Sequence, residues 1–206
     1  MPQTIYTMVL AMTPTGVIGM DCVNADTAST TAPQQIIPWD LPEDLQNFRA
    51  ITAAVRSPDH ITAVLMGRKT YDTVAPRFTK SVFPGRIPIV LSATTKYDLA
   101  HPEVIFVDSI NPDFLSQYTT VHNIGGANLI NNTFNQLVYD ELHITHVNHD
   151  CALITPESNP ARVDMVQLDK LLTNYDKLLV TRQFNGKCSL CNAAITADYN
   201  HYKLRK

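Results

Sequence analysis

The sequence predicts an α/β fold in three layers: a mostly parallel central sheet between helices, with antiparallel strands appended towards the C-terminus. Three observations predict it. "ITAVLMG" (Ile61–Gly67), "IPIVLS" (Ile87–Ser92) and "VIFV" (Val104–Val107) are short apolar runs without polar alternation, as strands covered on both faces are. These runs alternate with short helical segments, the pattern of βαβ units. At 206 residues and 45% hydrophobic composition, the chain suits one domain over residues 1–206 with a full core.

In order along the chain, the apolar β-formers of Ile5–Met12 predict a buried first strand, and "TPTGVIGMD" after it reads as a loop punctuated by Pro14, Gly16 and Gly19. The polar, small-residue stretch between Met20 and Ile37 reads as a surface excursion. Pro42 sits where the first turn of a helix tolerates proline, and Leu45, Phe48, Ala53 and Val55 are the inward candidates on that helix. Ile61–Gly67 runs into Arg68-Lys69-Thr70 and a short helix through Val74. Strands follow at Ile87–Ser92, Val104–Val107 and Val121–Ile124, the last leading through Gly125-Gly126 into a helix near Asn128. Asp140–Asn148, Lys177–Phe184 and His201–Arg205 supply the remaining strands.

A formal net charge of -3 and the absence of any Lys/Arg-rich run offer no field for nucleic acid. No apolar run reaches the length of a membrane span, and the N-terminus lacks the pattern of a secretion signal, so a cytoplasmic protein is expected. Four cysteines, Cys22, Cys151, Cys188 and Cys191, are too few and too scattered for a disulfide scaffold. Cys188 and Cys191 have C-x-x-C spacing, but zinc needs two further ligands and no second pair matches, so no metal is expected.

Four constellations carry chemistry. Asp44 lies among Trp39, Leu41, Leu45 and Phe48, and a low-dielectric wall disfavours its charge, making it a candidate proton donor. Gly125-Gly126 between strand and helix allows close backbone approach to a phosphate, or simply a tight turn; it is not the G-x-G-x-x-G fingerprint. Gly67-Arg68-Lys69-Thr70 is a second junction of that kind, with two cations and a hydroxyl that are either phosphate ligands or a solvated basic pair. Pro84-Gly85-Arg86 can aim a guanidinium at a carboxylate, or simply leave the arginine exposed. Thr145 gains interest only if its hydroxyl orients Asp44. His143, His146 and His149 lack the H-x-x-x-H spacing of a helix and are read as non-ligands.

Taken together, "GVIGMD", "IPWDLPEDLQNFRAIT", "AVLMGRKTYDTV", "FPGRIPIVLS", "HNIGGANLI" and "ELHITHVN" resemble dihydrofolate reductase, in that family's order, over about Thr4–Asn148. The resemblance implies reduction of 7,8-dihydrofolate to tetrahydrofolate by hydride from NADPH. Asp44 matches the carboxylate that assists N5 protonation, Trp39 the tryptophan that holds a nearby water, and Thr145 the threonine bonded to the acid. Val9, Leu45, Phe48, Val74, Phe83 and Ile124 match the substrate wall, and Arg86 the arginine that pairs with the glutamate tail. Ala11, Ile18 and Gly19 match nicotinamide positions, and Gly125, Gly126 and Ala127 the pyrophosphate turn. Gly67, Arg68, Lys69, Thr70, Leu91 and Ser92 match the remaining cofactor contacts.

Four departures stand out. Ile130 replaces a tyrosine usual near the nicotinamide, and Ala93 and Asn128 replace polar or basic groups near the 2′-phosphate. Asp21–Ile36 is inserted at the active-site loop, and "NHDCALITPESNP" lacks an acidic, glycine-containing pattern found in some members. The resemblance implies a monomer with dihydrofolate and NADPH as its partners and a link to a separate thymidylate synthase. The alternatives are a related pteridine or pyrimidine-intermediate reductase, and a weakly catalytic binding protein of the same fold.

Overall fold

The computed structural model describes residues 3–21, 35–178 and 182–206. Its strands are β1 (Ile5–Met12), β2 (Val17–Asp21), β3 (Gln35–Ile36), β4 (Trp39–Asp40), β5 (Thr62–Gly67), β6 (Ile87–Leu91), β7 (Ile105–Val107), β8 (Thr120–Asn123), β9 (Glu141–Val147), β10 (Ala161–Arg162), β11 (Tyr175–Lys177), β12 (Arg182–Cys188) and β13 (Ala194–Leu204). The helices are α1 (Pro42–Thr52), α2 (Arg68–Val74), α3 (Pro112–Leu115), α4 (Ala127–Thr133) and α5 (Met165–Leu172).

The main sheet has the order β4-β12-β13-β9-β1-β8-β5-β6-β7, with β11 also on β13. From β9 to β7 every pairing is parallel, and β13, β12, β11 and β4 join antiparallel. This is the predicted architecture. The parallel strands are covered on both sides: Ala63 and Leu65 face one core, Val64 and Met66 the other. Leu115 of α3, Leu129 and Ile130 of α4 and Leu168 of α5 pack on the first face. Phe48 and Ile51 of α1 and Tyr71 of α2 pack on the second, where they leave a cleft along β1 and β9.

The structure departs from several expectations. The glycine-flanked "GVIGMD" segment is not loop; β2 pairs antiparallel with β3 and β10 in a small second sheet. Glycine serves packing there, because a Cβ on Gly19 would lie 3.3 Å from the Ile36 carbonyl oxygen. The ends of the insertion, Asp21 and Gln35–Ile36, are thus strand, and residues 22–34 lie outside the described residues. Of the expected strand Lys177–Phe184, Lys177 ends β11, Arg182 starts β12, and residues 179–181 lie outside the described residues. The last strand begins at Ala194 rather than His201.

On α1 the inward set differs too. The helix ends at Thr52, before Val55, which is exposed, as is Ala53; Leu45 is 47% exposed because it borders the open cleft. Asn47 and Thr52 are the buried positions of this helix.

The edge strand β4 is seated tightly. A Cβ on Gly186 of β12 would overlap the Asp40 carbonyl oxygen and crowd the Leu41 Cδ2 at 2.7 Å. Backbone cannot swing aside as a side-chain tip can, so overpacking here costs about 2–3 kcal/mol. Gly186→Ala is expected to lower the thermal unfolding midpoint by roughly 5–10 °C, read by calorimetry.

Candidate active site

The cleft has a volume of about 930 Å³ and is floored by Val9 and Ala11 of β1 and by His143 and Thr145 of β9. Period-2 alternation puts these residues opposite Met8, Leu10 and Met12, which face the other core. Asp44 stands in the first turn of α1, whose start is set by Pro42 in its first turn, and it reaches across to β9. The Thr145 hydroxyl donates to Asp44 Oδ1 at 2.6 Å. Burial raises the Asp44 pKa, and the Thr145 hydrogen bond opposes that rise without cancelling it. Trp39 of β4 and Leu41 close the apolar side.

At the mouth, Arg86 is set by a turn in which its N–H donates to the Phe83 carbonyl at 3.0 Å. Phe83 has φ 53°, an uncommon region for a bulky side chain, and Gly85 follows with φ 77°. The Arg86 guanidinium carbon lies 5.1 Å from the Phe83 ring centroid, and an Nη1 hydrogen is donated to Thr52 at 2.6 Å. Its Nε is buried without a partner among the described residues. Burial, and then the neighbouring Arg49 cation, hold the Arg86 pKa below its usual value. A fork with a free donor beside a second cation suits a carboxylate-bearing ligand. Phe48, Val74 and Ile124 line the same cleft as Arg86 and Asp44.

The opposite end is built on the carboxyl ends of the adjacent strands β5 and β8. The Gly67 N–H donates to the Gly125 carbonyl at 2.7 Å, and the Gly125 N–H donates to Asn123 Oδ1 at 3.0 Å. The Gly125–Gly126 peptide is cis, and Gly125 has φ 95°. A Cβ on Gly126 would stand 3.1 Å from Thr70 Oγ1, so the absence of side chains keeps a cradle open there. Ile18, Gly19, Thr70 and Gly126 line the cleft, which makes this end continuous with the Asp44 end.

The other expected cofactor positions lie on the same sheet edge but not on the cleft wall. Arg68 donates from Nε to Asp72 at 2.7 Å and also contacts Thr95. Lys69 is exposed; Ser92 is buried and accepts from the Thr95 N–H at 3.0 Å. Leu91 ends β6, Gly67 closes β5, and Ala127 is buried at the start of α4. Ile130 is fully buried, with its Cδ1 3.1 Å from the position of a Gly125 Cβ, so it fills core rather than cleft.

Sequence reasoning overlooked cleft residues from polar segments. Tyr199 of β13 lies opposite Thr145 in register and bonds His143 Nδ1 at 2.7 Å through its hydroxyl. Asn47 accepts from Arg182 at 3.2 Å, and both Asn47 and Tyr199 border the cleft. The α1 spacing of Asn47, three residues after Asp44, was the available signal.

Residues 5–181 match the sequence profile of the family described as dihydrofolate reductase. The chain belongs to the dihydrofolate reductase family. It is 29% identical over 166 residues to the bifunctional dihydrofolate reductase-thymidylate synthase 2 of Arabidopsis thaliana, a match covering 75% of this chain and 27% of that protein. It is 30% identical over 124 residues to the dihydrofolate reductase of Candida albicans, covering 59% of this chain and 62% of that one. Among solved structures, a dihydrofolate reductase from Enterococcus faecalis complexed with NADP(H) superposes with a TM-score of 0.64 over 99% of this chain and 98% of the other at 20% identity. Like that structure, this member of the dihydrofolate reductase family carries the fold over nearly its whole length.

The ligand count behind the no-metal expectation is corrected by the structure. His149 and Cys151 come beside Cys188 and Cys191, with the four ligand atoms all within 4.8 Å of one another. His149 and Cys151 follow β9, whereas Cys188 ends β12, so sheet pairing rather than sequence spacing unites them.

Proposed function

We propose that the chain reduces 7,8-dihydrofolate to tetrahydrofolate with NADPH. The carrying observation is one cleft that holds a buried acid, Asp44, bonded to Thr145, and a guanidinium, Arg86, with an unused donor. NADPH supplies a hydride when bound; the turn at Gly67, Gly125 and Gly126 fits its pyrophosphate, since a Cβ on Gly126 would crowd Thr70 Oγ1 at the cleft wall. Arg68, Lys69 and Ser92, with Leu91, Thr70 and Ala127, would hold the adenosine side, and Ala11, Ile18 and Gly19 the nicotinamide side.

The protein's own part is to align, to exclude water and to deliver one proton. Asp44, whose pKa burial raises, delivers the proton that ends on the pteridine N5, with Thr145 fixing which oxygen faces the substrate. Trp39 shields this exchange from bulk water. Val9, Leu45, Phe48, Val74, Phe83 and Ile124 wall the ring system, and Arg86 receives the glutamate carboxylate. Leu45 is exposed without such a ligand and would be covered by it.

The bifunctional relatives carry thymidylate synthase in their names, which supports a functional link to a thymidylate synthase. Free thiols at Cys151, Cys188 and Cys191 support a reducing, cytoplasmic setting, and a monomeric, antifolate-sensitive enzyme is part of the same proposal. The assay is loss of NADPH absorbance with dihydrofolate present. Turnover blocked by methotrexate is expected; folded protein that neither turns over nor binds methotrexate would refute the proposal.

A further inference from the structure

Behind the Trp39 edge of the cleft, three thiols and an imidazole converge from two places in the chain. Cys188 and Cys191 belong to the β12–β13 hairpin tip. There the Cys188 N–H donates to the Ala193 carbonyl at 2.9 Å, the Asn192 N–H donates to the Cys188 carbonyl at 3.0 Å, and Asn192 takes φ 58°. This turn brings both C-x-x-C sulfurs to one side. His149 and Cys151 follow the end of β9, which is locked to the hairpin by the Asn148 N–H donating to the Thr196 carbonyl at 2.9 Å.

The resulting cluster has the geometry of a cation cage. All four ligand atoms lie within 4.8 Å of one another, and Cys191 Sγ is 3.5 Å from His149 Nε2. Tetrahedral zinc with Zn–S near 2.3 Å and Zn–N near 2.0–2.1 Å requires sulfur–nitrogen separations of about 3.6 Å and sulfur–sulfur separations of about 3.8 Å. The observed pair meets the first value, and the rest need a contraction of about an ångström at most. Cys151 and Cys188 are buried, while Cys191 is exposed and gives an ion a route in.

We propose that His149, Cys151, Cys188 and Cys191 bind one structural zinc ion. Thiolate sulfur selects a soft or borderline cation, and a Cys₃His set closes a tetrahedron without leaving a position for substrate. The site is therefore a brace rather than a second catalytic centre. Its place says what it braces: Cys188 is paired with Trp39 across β12 and β4, and the Ser189 N–H donates to the Pro38 carbonyl at 3.1 Å. Zinc ties the exit of β9 to the end of β12, whose neighbour β4 carries Trp39 just after the insertion.

The test is metal content of the full chain purified from zinc-supplemented cells with a non-thiol reductant and no chelator. About one zinc per chain is expected, with Cys151, Cys188 and Cys191 protected from alkylation until the ion is chelated. Cobalt substitution should give the intense ligand-field and thiolate charge-transfer bands of a tetrahedral site. Cys191→Ser, at an exposed turn position where folding should survive, is expected to weaken zinc at least about tenfold. Chelation should lower the unfolding midpoint of the parent chain by roughly 5 °C or more, and that of Cys191→Ser by less. Zinc below about a tenth of an ion per chain with all three thiols freely alkylated, a disulfide joining two of them, or wild-type zinc affinity in Cys191→Ser would each overturn the proposal. These readouts need no reductase activity, so they stand apart from the folate assay.

Discussion

Asp44→Asn is expected to lower kcat at pH 7 by about 10²–10⁴-fold, the range for loss of a positioned general acid. The substitution preserves the Oδ1 that accepts from Thr145, so geometry is kept and the exchangeable proton alone is lost. In the parent chain turnover should decline as pH rises through the elevated pKa of Asp44, because the protonated fraction falls. The variant should lose that limb and recover only in acid, where the substrate is protonated by solvent. A pH–rate profile unchanged by the substitution would remove Asp44 from its role. Stability should move the other way. Because the folded pKa is raised, the favourable contribution of protonated Asp44 is full below its unfolded value and is lost as pH rises through the folded one. At neutral pH the buried carboxylate therefore costs stability. Asp44→Asn should unfold at the same or a higher temperature than the parent at pH 7, a difference that shrinks in acid, as calorimetry across pH would read.

That trade of stability for reactivity was legible in the sequence because its ingredients are local: one acid in the first turn of a helix, with apolar neighbours three and four residues away. The parallel strands were legible for a similar reason. "TAVLMG" is covered on both faces and carries no polar interruption. What stayed hidden depended on partners distant in the chain. β13, with Asn200 and His201 in its middle, reads as polar until β9 and β12 flank it. β2 reads as loop because its glycine answers to a carbonyl of β3. Helix α5 was readable and overlooked: Asp164 caps it by accepting from the Gln167 N–H at 3.0 Å, an acid-x-x-Gln signature. In the cleft, Tyr199 and Asn47 escaped notice because polar residues on a strand and a helix look solvent-facing until a cleft lies beside them. The same limit hid the cysteine and histidine cluster, whose two halves meet only through strand pairing.

Arg86→Leu is expected to raise KM for dihydrofolate by roughly 30- to 1000-fold, about 2–4 kcal/mol, with kcat within a few-fold of the parent. In the proposed function the fork receives the tail of the substrate rather than the reacting ring, so its binding energy would be shared equally by ground and transition states. A pteridine substrate without the glutamate tail should show no such penalty, and KM for NADPH should not move. Equal losses for both substrates would place Arg86 outside carboxylate recognition. The fold should tolerate the change, because the parent already buries the Arg86 Nε without a partner and holds the cation against Arg49. Removing an unsatisfied donor and a like-charge contact offsets the loss of the bond to Thr52. An unfolding midpoint within a few degrees of the parent, alongside the large KM change, is therefore the result that assigns the strain at Phe83-Pro84-Gly85 to substrate capture. A collapse in stability without substrate selectivity would assign it to packing.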